Sequence, residues 1–297
     1  MDDRMVTVDN IVTPRPTANR FSRLRRLPLL PIIILAVFVL AAIVAPLITP
    51  YSPYDFSLAD KLRPPAWQAG GSPDFPLGTD RLGRDIFTRI LYGSRISFLV
   101  AILSLLVGAG IGTTVGIVSA YFRGWVDTVL MRIADAALGI PSIFIALLFA
   151  ISLGAGFRTV ILAIALVLWA QFARVIRGEV LSLRERDFVT LARIAGAPHI
   201  RVILKHLLPN VMNTLLVLMT LNVGQVILME ASLSFLGAGI PPPSPSWGQM
   251  VADGREYIEL AWWISIIPGV ALALVVLAFN LFGDWLRDAI DPKLRQL

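Results

Sequence analysis

The chain has 297 residues, 56% of them hydrophobic and only 15% charged, with a formal net charge of +6 and a mean hydropathy of +0.75. That composition lies outside the range of soluble globular proteins, and the lack of cysteine excludes disulfides, thiol catalysis and cysteine-ligated metals. Nucleic acid is not the partner indicated by the positive charge, because the basic residues flank apolar blocks and form no stripe with interleaved aromatics.

Residues 1–26 are polar and arginine-rich and precede the apolar run LPLLPIIILAVFVLAAIVAPLIT. The run is too long for a signal-peptide core, so it predicts an uncleaved first span, and Arg25–Arg26 reads as a cytoplasmic flank rather than an export signal. Further apolar blocks, long enough to cross a hydrocarbon core of roughly 30 Å, predict six spans in all. They fall at about 27–48, 96–121, 133–154, 159–176, 211–233 and 261–285. The fold class is therefore all-α and polytopic, with a tail at 1–26, a transmembrane domain over 27–297 and a C-terminal tail at 286–297. Six spans put both termini on one side. Placing them in the cytoplasm puts eighteen basic residues inside against eight outside, as the positive-inside rule requires.

Between the first two spans, LGTDRLGRDIFTRILYGSR predicts a capped helix on the outer membrane surface. Thr79 or Asp80 would cap it, Gly93 would end it, and Asp80–Arg84 and Asp85–Arg89 would pair at i,i+4. In the second span Gly108, Gly112 and Gly116 recur every four residues, which lines one helix face for close packing against another backbone.

The segment between the fourth and fifth spans, about 182–209, is amphipathic and basic. Ser182 and Glu185 match a capping box for a first short helix, on which Phe188, Leu191, Ala192 and Ala195 share a face. Gly196 suits a left-handed stop and Pro198 the start of a second short helix, about 199–207, which Pro209 would end. Two short helices joined by a sharp turn predict either a plain connector or a surface that enters a groove of another protein, with Ala192 and Ala195 presented to it.

On the fifth span, Asn222 and Gln225 share a face with Met229, and Glu230 follows. These are candidate pathway residues, although buried helix–helix hydrogen bonding accounts for them equally well. Beyond it, a proline-rich turn leads to a short amphipathic piece near 249–259. Trp262, Trp263 and Trp285 bracket the last span at the two interfaces. His199 and His206 lack metal or triad context, so no catalytic or metal-binding residue is predicted. Nor is there a G-x-x-x-x-G-K-[ST] sequence, and no nucleotide site of that kind is expected on this chain.

The 182–209 segment resembles the cytoplasmic loop of ABC-importer permeases, written as Glu-Ala-Ala, three residues, Gly, nine residues, Ile, one residue, Leu-Pro. Here Thr190-Leu191-Ala192, Gly196, His206 and Leu208-Pro209 keep every spacing, with Thr190, Leu191 and His206 departing in residue type. The stretches PLGTDRLGRDIFTRILYGSRIS, DFVTLARIAGA, SLSFLGAGIPPPSPSWGQM and FNLFGDWLRDAIDPKL are similar to the C-type subunit of the dipeptide, oligopeptide and nickel branch. The resemblance implies a type I ABC-importer permease fold in the plasma (inner) membrane. It also implies a heterodimer with a second permease subunit, partner ATPases that bind ATP and Mg, and an external substrate-binding protein. The loop, with Thr190, Leu191, Ala192, Ala195, Gly196, Ala197, His206, Leu208 and Pro209, would couple to the ATPase. Short peptides are the implied substrate. Nickel or another small solute, and an ATP-independent secondary transporter, are the alternatives.

Overall fold

The computed structural model describes residues 27–290, which are helical throughout apart from their loops and one isolated bridge between Thr79 and Asp85. The expected tail at 1–26 lies outside the described residues, as does 291–297 of the expected tail at 286–297, whose residues 286–290 instead continue the last helix. The helices are α1 (Leu29–Ile48), α2 (Ile86–Phe122), α3 (Gly124–Leu138), α4 (Ser142–Leu153), α5 (Phe157–Arg184) and α6 (Asp187–Ile194). They continue with α7 (His199–Val202), α8 (Leu208–Phe235), α9 (Trp247–Gly254) and α10 (Trp263–Ile290).

Five helices are long and apolar enough to cross a membrane, or six if the bent pair α3–α4 counts as one span. That pair corrects the expected third span. Instead of one helix over 133–154, two helices meet at an angle of 91°. Pro141 has no backbone N–H and disfavours helical geometry at Ile140, so the chain breaks after Gly139. With 12 residues, α4 rises only about 18 Å and does not span alone. The fourth span is longer than expected, since α5 starts at Phe157 and runs past the expected end near 176 to Arg184.

The core is the α2–α5 pair, the most extensive helix contact in the protein. A Cβ at Gly112 would lie 2.4 Å from the Trp169 carbonyl oxygen, one at Gly116 2.6 Å from that of Ala173, and one at Gly108 3.0 Å from the Leu168 Cβ. The small-residue face is thus a backbone-to-backbone contact, as its spacing predicts.

At its N-terminal end α2 departs from the expectation. Residues 79–85 form an irregular loop and no separate surface helix exists. Asp85 caps α2, its Oδ2 accepting from the Thr88 N–H at 2.8 Å, and the helix runs straight through Gly93 to Phe122. Gly93 survives within it because the Trp247 ring lies against it: a Cβ would come 3.1 Å from the indole Cδ1. The fully buried Trp247 donates from Nε1 to the Ile90 carbonyl at 3.0 Å and meets Phe38 and Phe98 edge-on. α9 is thereby wedged between α1, α2 and α8, its Gly248 packed against the Ala231 backbone. Pro46 inside α1 leaves the Ala42 carbonyl without its helical donor, and Arg95 of α2 supplies one from its guanidinium.

Candidate functional site

Two parts of the chain carry polar or exposed apolar groups that packing alone does not require. One is the loop between α5 and α8. The expected capping box at Ser182–Glu185 does not form: α5 continues to Arg184, and α6 starts at Asp187 with Arg186 at its N-cap and no side-chain cap. The helix carries past Ser182 because Leu183 is buried. Arg184 also donates to the carbonyls of Ala120 and Tyr121 at 3.2 and 3.0 Å, so the last turn of α5 is held.

α6 ends as expected. Gly196 has φ +76°, the Gly196 N–H donates to the Arg193 carbonyl at 3.0 Å, and the Ala197 N–H to that of Ala192 at 3.1 Å. These two bonds form a Schellman stop, which needs a residue without Cβ strain at its left-handed position. The second helix differs from expectation in length. α7 passes through a π turn, Ile203–Leu207, directly into α8, and Pro209 does not end it. Widening the turn spares the clash between the proline ring and the carbonyl four residues earlier. The Leu208 N–H then bonds Ile203, five residues back, and the Asn210 amide takes the His206 carbonyl at 2.6 Å.

Val189 and Val202 anchor this helix pair and are fully buried. Ala192 and Ala197 also face inward, with Ile203 and Leu208. Ala192, expected on the presented surface, is half-buried, and the large apolar side chains left exposed are Leu191 (64% exposed), Ile194 (78%), Ile200 (69%) and Leu204 (54%), an apolar ridge around the Gly196 turn with the exposed Ala195 beside it. The inward requirement of Val189 fixes this rotation, since a helix anchored there turns residues 191 and 194 outward. Thr190 and Pro209 are exposed, and the His206 ring lies 6.3 Å from that of Phe188, joining the two helices.

The same loop is tied to the C-terminal end of α2. Tyr121 Oη and His199 Nδ1 are 2.7 Å apart, a pairing of positions 78 residues apart that no local spacing signals. Arg177 makes a bidentate pair with Asp127 of α3 at 2.6 Å, Ser119 donates to the same carboxylate, and Arg174 pairs with Asp135.

The other part is the clasp on the N-terminal end of α2. Asp80 accepts from Arg84 Nε at 2.6 Å, as the i,i+4 spacing predicts, although in a loop rather than a helix. Arg89 does not pair with Asp85 but lies 3.7 Å from Asp80. Burial pushes the Asp85 carboxyl up, and hydrogen bonds from Thr88 and Phe87 pull it back down. Asp253 of α9 lies 3.8 Å from Arg84, and Trp263 donates to the Thr79 carbonyl at 3.1 Å. Loop, α9 and α10 thus close over the start of α2. Among the described residues, no three His, Asp or Glu side chains converge where a metal ion could be held.

The candidate pathway residues do not come together. Gln225 is exposed, whereas Asn222 is buried, donates within its own helix to Leu218 at 2.8 Å and leaves its Oδ1 without a partner among the described residues. Glu230 is fully buried, 2.9 Å from the donating Ser234 hydroxyl and 3.4 Å from that of Ser97, with Ser246 adjoining. That geometry joins α8 to α2 and α9. Glu230→Leu should leave buried hydroxyls unpaired and cost about 1–3 kcal/mol, seen as a lower unfolding temperature of the purified protein. Glu230→Gln keeps an acceptor for Ser234 and should stay near wild type in both stability and transport. A Gln variant that folds normally yet loses uptake would instead place Glu230 on the substrate path.

The sequence signature described as "Binding-protein-dependent transport system inner membrane component" matches residues 112–296, and that of the "N-terminal TM domain of oligopeptide transport permease C" matches residues 20–65. A putative peptide transport system permease protein of Brucella suis is 42% identical over 279 residues, covering 94% of this chain and 92% of the relative. The dipeptide transport system permease protein of Haemophilus influenzae is 39% identical over 268 residues, covering 90% and 91%. A glutathione transport system permease protein of Pectobacterium atrosepticum is 41% identical over 246 residues, covering 83% and 80%. In fold, the chain is similar to an inward-facing structure of the MetNI methionine ABC transporter. The TM-score is 0.56 at 18% identity, covering 68% of this chain and 96% of that one.

Proposed function

The chain belongs to the inner membrane components of binding-protein-dependent transport systems, the permeases of ABC importers, and from that premise we propose that it forms one half of a short-peptide importer. The observation that carries the coupling part of this reading is the apolar ridge Leu191–Ile194–Ile200–Leu204 on a helix pair whose other face is locked to the spans. Leaving four large apolar side chains in water is unfavourable by about 25 cal/mol per Å² of surface, and a groove on a cytoplasmic ATPase subunit relieves it.

The rest of the machine follows from that assignment. The loop 182–209 docks on ATPase subunits that hold ATP and Mg, a second permease subunit completes the pathway, and an external binding protein delivers substrate to the outer face. Relatives named for peptide, dipeptide and glutathione transport support a short peptide as substrate. Asn222, whose buried amide oxygen has no partner among the described residues, and Gln225 are the candidate pathway residues on α8, while Glu230, bonded to Ser234 and Ser97, ties α8 to α2. The basic-residue count supports a cytoplasmic location for the 1–26 tail, the 182–209 loop and the C-terminal tail, with the transmembrane domain from residue 27 embedded in lipid.

Because the chain has no cysteine, single-cysteine variants report topology without background. Gln68→Cys should react with a membrane-impermeant maleimide from outside intact cells. Ile194→Cys should react only in inverted vesicles, and should be protected when the ATPase is bound. Ile194→Cys labelling from outside would overturn the orientation. Proteoliposomes holding the complete complex and its binding protein should take up labelled dipeptide on ATP addition. Uptake of a nickel chelate but no peptide would sink the substrate assignment.

A further inference from the structure

The loop that presents the apolar ridge touches the spans through few polar contacts, and the shortest between them involves a histidine without any assigned role. His199 is the first residue of α7, immediately after Pro198 sets the helix start. Its Nδ1 is 2.7 Å from Tyr121 Oη, and its ring meets Tyr121 and Phe122 edge-on at 5.6 and 6.0 Å. Tyr121 is buried in the last turn of α2. The same turn receives Arg184 from the end of α5 on the Ala120 and Tyr121 carbonyls, where a cation suits the C-terminal end of the helix dipole. Arg123, just beyond, pairs with Glu185 at 3.4 Å. The inner end of α2 is therefore joined to the beginning of the loop and to the start of its second helix, α7.

What α2 can do with a displacement follows from its length and its packing. Its 37 residues rise about 55 Å, well over a bilayer core. The Gly112 and Gly116 contacts with α5 are backbone against backbone, with no flexible side chain between them to yield. Its outer end is held by the Asp85 cap and by Trp247 on the Ile90 carbonyl. A rod fixed to α5 and clasped outside moves as a unit, whereas α3–α4 carries the 91° bend and follows a left-handed Arg123–Gly124 link.

We infer that the Tyr121–His199 hydrogen bond is the joint through which movement of the ridge helices reaches α2, making both side chains positioning residues for coupling. The inference rests on the reading that the ridge docks on the ATPase. Both ends of the joint are set by geometry: Pro198 fixes where α7 begins, and the Arg184 contacts fix the last turn of α2. A push on Ile200 or Leu204 moves α7, and His199 is the residue of α7 that holds α2 by a directional bond. The π turn Ile203–Leu207, which also contacts α2, supplies the non-directional remainder.

The test uses the complete complex, with its second permease, ATPases and binding protein, in proteoliposomes. Tyr121→Phe removes the hydroxyl and keeps the ring contacts. His199→Leu removes the ring nitrogen, and His199→Asn keeps a polar atom near the place of Nδ1. Tyr121→Phe and His199→Leu should co-purify with as much ATPase as the wild type, while peptide taken up per ATP hydrolysed falls about fivefold, on the scale of one lost hydrogen bond. His199→Asn should stay within about twofold of wild type, and the double variant Tyr121→Phe with His199→Leu should be no worse than either single one.

A wild-type ratio of uptake to hydrolysis in Tyr121→Phe would overturn the inference. So would His199→Asn failing as badly as His199→Leu, since ring volume and not the hydrogen bond would then matter. Loss of ATPase from Tyr121→Phe would also overturn it, by making the pair part of the docking surface. Failure of the underlying docking reading is seen separately: Leu191→Glu would retain the ATPase, and the joint would fall with it.

Discussion

Gly112→Ala should destabilise the folded chain by about 3 kcal/mol or more, while Gly110→Ala, two residues away, should be neutral or slightly stabilising. Both are glycines within one helix, so intrinsic propensity favours alanine equally at each, by up to about 1 kcal/mol. Packing separates them. The Cβ added at Gly112 would meet the Trp169 carbonyl oxygen at 2.4 Å, the Phe172 Cβ at 2.6 Å and the Ala173 nitrogen at 3.0 Å. Two of those atoms are backbone of the facing helix and cannot rotate away, so α2 and α5 must separate along their length. At Gly110 a Cβ meets nothing within 4 Å. Thermal unfolding of the two purified variants in the same detergent, with the yield of assembled complex alongside, is the measurement. Equal unfolding temperatures would mean that α2 and α5 are not in backbone contact. Gly116→Ala should follow Gly112→Ala, because its Cβ would lie 2.6 Å from the Ala173 oxygen.

The difference between those two glycines was half legible in the sequence. The four-residue spacing of Gly108, Gly112 and Gly116 identifies a face, and Gly110 lies off it; which helix receives that face is a matter of tertiary arrangement. The approximate places of five of the six expected spans were legible for the same reason, since a bilayer demands long apolar runs. The differences share one physical cause: local stop and start signals yield where packing carries the helix on. Gly93 reads as a terminator, yet the Trp247 ring needs the space of its missing side chain. Ser182–Glu185 reads as a start, yet Leu183 and Arg184 are already committed to α5. Pro209 reads as an end, yet a π turn absorbs it. Conversely, Pro141 sits inside an apolar run that predicts one continuous span, and it breaks that span. Gly196 ends α6 as its sequence predicts because a Schellman stop depends on nothing beyond its own few residues. The rotation of α6 about its axis departs from the expectation, because Val189 and not Phe188 is the buried anchor.

That rotation determines which substitutions should detach the ATPase. Leu191→Glu combined with Ile194→Glu should weaken ATPase binding about 100-fold or more, with insertion and folding of the permease unchanged. Both side chains are largely exposed in this chain, so a carboxylate there meets water and costs the isolated permease little. In the complex the same positions would lose apolar burial worth about 1.5–3 kcal/mol each and would bury charge as well. Since each 1.4 kcal/mol is a factor of ten, a 100-fold loss is the lower end of that range. Gly196→Val acts by another route. Nothing lies within 4 Å of its added Cβ, so the whole effect is the strain of a β-branched residue at φ +76°, about 1–2 kcal/mol. It should tilt α6 against α7 and split the ridge, lowering ATPase binding less than the double glutamate does. Ala192→Glu should differ from both. Ala192 packs inward beneath α6, so a glutamate there should loosen the helix pair itself and increase protease cleavage of the loop before any partner is added. Co-purification of the ATPase with each variant, with Gln68→Ala in the outer loop as control, separates the three. If the Leu191→Glu/Ile194→Glu chain keeps its ATPase at wild-type affinity, the ridge is not the docking surface and the loop only connects α5 to α8.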